Sequence, residues 1–211
     1  MNILEKYNNE FAYTGAAINI AMAVQFFMLW KQPDLEDATK IYSIAILMGF
    51  EFFMVHSGVF MAAMPKKVSL YVFVPIYGLF AWAINTMIPG NDILYLYLFI
   101  IFGRMRFAFS DVSEKIRAMT AFISVQNALA WFFLIAILGF NKERIPRLGL
   151  TDLYLEKANY LAIKKSGGLS DTPHLALSFA VIYYGFLALI EISTIRSFSK
   201  RDFKGKQIYK K

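Results

Sequence analysis

Glu51 and His56 stand inside one long apolar run, IYSIAILMGFEFFMVHSGVFMAAM. An acid and an imidazole in such surroundings are costly and rare, and they mark a site or a structural tie. The chemistry they offer is proton or cation handling, with Glu51 and His56 as titrating stations on a path for protons, ions or a small solute. The competing reading is structural: such groups tie helices together by hydrogen bonds worth ~0.6 kcal/mol each. A neutral, buried Glu51 donating to a tyrosine fits that reading.

A metal or catalytic centre is the weakest of the three. Positions five apart lie ~140° apart around a helix, so Glu51 and His56 face different directions. The chain has only 2 histidines, and the other, His174, falls in a distant segment. Cysteine is absent, which removes thiolate ligands, cysteine nucleophiles and disulfides. Ser57 follows His56 directly, which turns the two side chains ~100° apart. No G-x-S-x-G, P-loop or dinucleotide fingerprint occurs. Lysine is missing from every apolar run, which argues against a retinal Schiff base. We expect no metal, no cofactor and no enzymatic activity.

The elements that position these residues are apolar runs of near-bilayer length. The chain has 211 residues, and 58% of them are apolar, above the ~45–50% usual for soluble domains. Six runs stand out, at residues 11–30, 41–64, 68–88, 93–109, 119–140 and 174–195. A hydrocarbon core of ~30 Å needs ~20 residues of helix. The run at 93–109 reaches that length only by passing through Arg104 and Arg106, so it either crosses or is re-entrant. The pattern lacks the two-residue alternation of barrel strands, and lipid cannot satisfy open backbone groups. The fold class is therefore all-α: a polytopic transmembrane helix bundle of about six spans, or five if the fourth is re-entrant. Pro75 should kink span three, while Pro65 and Pro89 should act as stops. The first run is too long for a signal-peptide core and lacks a clear cleavage site, so it is expected to remain as span one.

Depth along the spans suggests partners. Glu51 lies ~15 Å into span two and His56 ~12 Å from its other end. Asn19 in span one and Gln126 and Asn127 in span five share the level of His56, which predicts a polar layer of Asn19, His56, Gln126 and Asn127. Glu51 instead shares its level with Tyr183 and Tyr184 of span six. Glu191 is level with Arg104 and Arg106, a candidate carboxylate–guanidinium pair. Ala45-x-x-x-Gly49 and Gly58-x-x-x-Ala62 would let other helices approach span two closely. Span two is accordingly expected to be the most buried helix. Gly15, Ala16 and Ala17 are similar small residues on span one.

Net charge is +7, and most of the 22 basic residues flank the runs. Lys66-Lys67 follows span two, whereas QPDLED and PGND join other spans. By the positive-inside rule both termini of a six-span chain are cytoplasmic, whereas with five spans they lie on opposite sides. The basic loop at 141–173 runs against that rule, which long loops obey less well. Asp152 is expected to cap a helix there running to about Lys165 and ending at Gly167-Gly168. It either lies on the membrane surface or packs on its own loop ends. The tail at 196–211, RSFSKRDFKGKQIYKK, reads as a cytoplasmic anchor for anionic headgroups. Nucleic acid is not an expected partner.

The sequence thus describes a multi-pass protein of a cell membrane, of bacterial inner-membrane type. It is either a small channel or transporter with a polar path beside span two, or a non-catalytic integral subunit or scaffold of a larger membrane complex. Besides the lipid bilayer, a second copy or a membrane-complex partner is expected in either case.

Overall fold

The computed structural model describes residues 7–88, 91, 94, 95, 98, 114–165 and 167–208. Every regular element among the described residues is helical. The elements are α1 (Asn8–Lys31), α2 (Ala38–Ala63), α3 (Val74–Asn85), α4 (Glu114–Phe140), the short α5 (Asp152–Lys157) and α6 (Tyr160–Ile163), and α7 (Pro173–Ile208). Among the described residues, four helices are long and apolar enough to cross a membrane. They lie on α1, α2, α4 and α7 and correspond to four of the six expected spans. The third run forms a shorter apolar helix, Ser69–Asn85. Most of the fourth run, with Arg104 and Arg106, and the stop expected at Pro89 lie outside the described residues. Four helices of spanning length are thus shown among the described residues, and the finer count of six is not.

Helix α7 is the hub. It packs along α1 on one side and touches α2 and α4 on the other, while α2 also carries α3 and α4. The best apolar window of α7 is 61% buried and that of α2 56%, against 17% for α1 and 11% for α4. Span two, expected to be the most deeply buried, thus shares that place with α7, and each packs against several neighbours. The α1 stripe is legible in its spacing. Ala12, Ala16, Phe26 and Trp30 are buried, and with Asn19 they recur at helical intervals on one face.

Proline chemistry shapes two places. Met64 is extended, with φ −90° and ψ 156°, as a residue preceding a proline prefers, and α2 ends there. Pro75 acts differently from a simple kink. The five residues Ser69–Phe73 before α3 form a π-helix, and the Val74 N–H donates to the Ser69 carbonyl, five residues back. The widened turn accommodates a ring that would otherwise strike the carbonyl of the preceding turn.

The segment at 141–173 departs from the single helix expected of it. Thr151, not Asp152, caps α5, its Oγ1 accepting from the Tyr154 N–H at 3.2 Å. Asp152 is instead ion-paired with Arg147. Asn159 adopts a left-handed conformation, φ 52°, which separates α5 from α6. The two turns form a cap held against the α1–α2 corner. The Gly149 N–H donates to the Trp30 carbonyl at 3.0 Å, the Trp30 indole to the Pro146 carbonyl at 3.1 Å, and the Tyr154 hydroxyl to the Asp34 carbonyl at 2.9 Å. Burial and the charges of Asp37 and Asp34 push the Tyr154 phenol up to about 12. The far end of the cap is closed by Asp171, which accepts from Lys164 Nζ at 2.8 Å and from the Gly167 N–H at 3.1 Å.

A Cβ at Gly149 would collide with Pro33 Cδ and stand 2.8 Å from the Lys31 carbonyl oxygen. Both neighbours belong to a tight backbone corner and cannot swing aside. Gly149→Ala should therefore destabilise by about 1–3 kcal/mol. Gly139→Ala, where a Cβ meets nothing within 4 Å, should be neutral or stabilising by up to ~1 kcal/mol through helix propensity. Unfolding in mixed micelles separates the two, and equal effects would contradict the tight corner.

The Lys164 hydrogen bond holds Asp171 below its ordinary value of 3.8. Folded protein therefore binds fewer protons here than unfolded chain. The stabilisation is complete above the unfolded value and is lost as pH falls through the folded one. Between about pH 5 and pH 3 the melting temperature of the native chain should fall more steeply than that of Asp171→Asn. Parallel curves would remove Asp171 from the closure.

Candidate functional site

Glu51 sits near the middle of α2 and is 3% exposed. An apolar helix turns the side chain inward because its neighbours Met48, Phe50, Met54 and Val55 are themselves buried on the bundle side. A carboxyl group there is costly unless hydrogen-bonded. Tyr184 of α7 supplies the bond, its hydroxyl donating to Glu51 Oε1 at 2.8 Å. The depth arithmetic had placed these two at one level, and the fold joins them. Aromatic rings flank the pair. Phe26 of α1 meets the Tyr184 ring edge-on at 5.6 Å, and Tyr183 packs beside it at 5.4 Å.

The other polar candidates do not converge on Glu51. Asn19 of α1 faces α7, where its Nδ2 approaches Glu191 Oε2 at 3.4 Å. Gly15, one turn earlier, makes room for the same carboxylate; a Cβ there would lie 2.8 Å from Glu191 Oε1. His56 Nδ1 meets the carbonyl of Phe52 on its own helix at 2.6 Å, which makes Nδ1 the donor. Its ring also lies 4.5 Å from the Phe52 ring. Gln126 Oε1 and Asn127 Oδ1 on α4 are enclosed with no hydrogen-bond partner among the described residues. The four residues of the expected polar layer therefore do not form one hydrogen-bonded layer: Asn19 belongs to the α1–α7 contact and His56 bonds within α2. The reason is topological, since α1 packs along α7 rather than along α2. The expected pairing of Glu191 with Arg104 and Arg106 lies outside the described residues.

Two features escaped the sequence. Trp131 of α4 donates its indole N–H to the Met48 carbonyl of α2 at 3.3 Å. Its ring lies 4.9 Å from Phe52 and 5.5 Å from Phe179 of α7, so one residue joins three helices. Its position was the available signal: a tryptophan far from a span end needs an acceptor for its N–H inside the bundle. The second feature is a groove of about 550 Å³ between α2, α3, α4 and the 167–175 segment, walled by residues such as Ala45, Gly49, Phe53, Ile84, Trp131 and Leu169. Gly49 faces this open space, and a Cβ there would meet nothing within 4 Å. Among the described residues, none makes the expected helix contact at Gly49 of Ala45-x-x-x-Gly49. Glu51 and His56 are not among the groove walls.

Among the described residues no group of three His, Asp or Glu side chains could hold a metal ion. No family model, curated protein or solved structure matches the chain. The chemistry of the site therefore rests on its own residues: one buried carboxyl, one phenol, and the aromatic rings around them.

Tyr184→Phe should destabilise the bundle by about 1–3 kcal/mol, because it removes a hydrogen bond to a buried carboxyl. Glu51→Gln together with Tyr184→Phe should cost less than the sum of the two single changes. A double-mutant cycle on unfolding in mixed micelles reads the coupling, and strict additivity would show that the bond contributes nothing.

Proposed function

We propose that the chain is a multi-pass cell-membrane protein, of bacterial inner-membrane type with both termini cytoplasmic. In this reading it is a small channel or transporter for protons, ions or a small solute, with Glu51 as its intramembrane station. One observation supports this most directly: Glu51 is shielded at mid-helix and bonded to a hydroxyl of another helix. Ionisable groups in membrane spans face the bundle interior or a water-filled cavity and mark ion or proton pathways. Tyr184 can exchange its bond to the carboxyl for one to water or solute, so loading Glu51 with a proton or cation alters the α2–α7 contact. The six-span count, with residues 93–109 as span four, belongs to the same proposal.

A second reading rests on different observations. Asn19 is held by Glu191 and His56 by its own backbone. Polar groups spent separately on helix contacts suit an integral, non-transporting subunit or scaffold of a larger membrane complex, or a homo-oligomer.

Purified protein in liposomes carrying an internal pH dye decides between them. Transport predicts a proton or cation flux that Glu51→Gln lowers at least tenfold while the variant still folds. A flux equal in both proteins removes Glu51 from the path. No flux in either, with a second membrane protein co-purifying from mild detergent, replaces the first reading by the second.

A further inference from the structure

The cap at 142–171 has two contrasting faces. Its inner face buries Leu150, Tyr154, Ala158 and Tyr160. On its outside Leu153 is 60% exposed and Leu161 69%, and Phe140, the last residue of α4, is 92% exposed. Open leucines on a segment otherwise rich in charge are the composition of an amphipathic, interface-facing surface.

Charge indicates the chemistry that such a surface meets. Three acids of the cap are matched within it: Glu143 by Lys142, Asp152 by Arg147 and Asp171 by Lys164. Arg144, Lys157 and Lys165 are exposed and make no ion pair among the described residues, with only Glu156 to offset them. Leu153 and Lys157 are one helical turn apart on α5 and share a face. Leucines and unmatched cations together suit the boundary between acyl chains and anionic headgroups.

Height along the bundle agrees, on the membrane-spanning reading proposed above. The 26 residues of α2 extend about 39 Å, roughly 9 Å more than a hydrocarbon core of ~30 Å. The first turn of α2 therefore lies at the headgroup boundary. Tyr160 is buried in the same core as Tyr42, one turn into α2, and α6 packs against α2. The cap consequently rests against the flank of α2 at that boundary rather than standing free beyond it.

We infer that the α5–α6 cap is a lipid-binding surface. Leu153 and Leu161 enter the outer acyl region, and Arg144, Lys157 and Lys165 take anionic phospholipid headgroups. A cap of this kind makes the 141–173 segment sense the surface charge of its leaflet.

The absence of cysteine permits single-site labelling without other changes. Leu153→Cys, Leu161→Cys and, on the exposed face of α4, Phe133→Cys are each labelled with bimane. The labelled proteins are placed in nanodiscs of phosphatidylcholine with or without phosphatidylglycerol. Doxyl-lipid and iodide quenching are measured in each. Phe133 should be quenched by mid-chain doxyl and not by iodide; failure here overturns the membrane reading itself. With that control in place, labels at 153 and 161 should be quenched by shallow doxyl lipid at least twofold more in anionic than in neutral discs. Lys157→Gln with Lys165→Gln should erase that difference. Quenching of 153 and 161 by iodide overturns the proposal. So does shielding from both quenchers, which would show a protein surface over the leucines, and so does doxyl quenching that ignores lipid charge.

Discussion

A carboxyl group cannot be left alone in an apolar helix interior, and this constraint organises the bundle around α7. Glu51 of α2 meets it through Tyr184, which sets the register of the two most buried helices against each other. The ring of Tyr184 then receives Phe26 of α1, so α1 is indexed to the same level. On the opposite flank Trp131 spends its N–H on a backbone carbonyl of α2 and its ring on Phe52 and Phe179. Apolar packing alone tolerates sliding of one helix past another. Directional polar contacts between different helix pairs do not.

Backbone proximity does comparable work outside the apolar region. The cap is fastened to the α1–α2 corner at Gly149, whose missing Cβ lets two backbone segments come together. Trp30 and Tyr154 add hydrogen bonds to carbonyls from opposite sides of that corner. A segment that resembles a loop by composition is thereby a folded part of the molecule, with its own buried tyrosines.

Polar and apolar features are separated in this architecture. Glu51 faces the α2–α7 contact, Asn19 and Glu191 face the α1–α7 contact, and the groove beside Gly49 has none of them in its walls. A path along α2 would therefore have to open at the Tyr184 bond instead of running through the groove. The same separation is what a purely architectural use of the polar groups would display. The two functional readings consequently turn on a single bond.

Sequence by itself determined the helical class, the apolar stretches that became α1, α2, α4 and α7, the end of α2 before Pro65, and the shared level of Glu51 and Tyr184. Each of these depends on local periodicity, proline stereochemistry or a fixed rise per residue, which need no knowledge of neighbours. Tertiary structure decided the rest. Equal depth cannot say which helices touch, so Asn19 went to Glu191 and not to His56. A proline's ring clash can be relieved by a kink or by a wider turn, and the packing around Ser69–Phe73 took the second. Thr151 displaced Asp152 as a cap because Arg147 claimed the acid. Helix adjacency is set by which faces fit together across the whole bundle, and that information is spread over residues far apart in the chain.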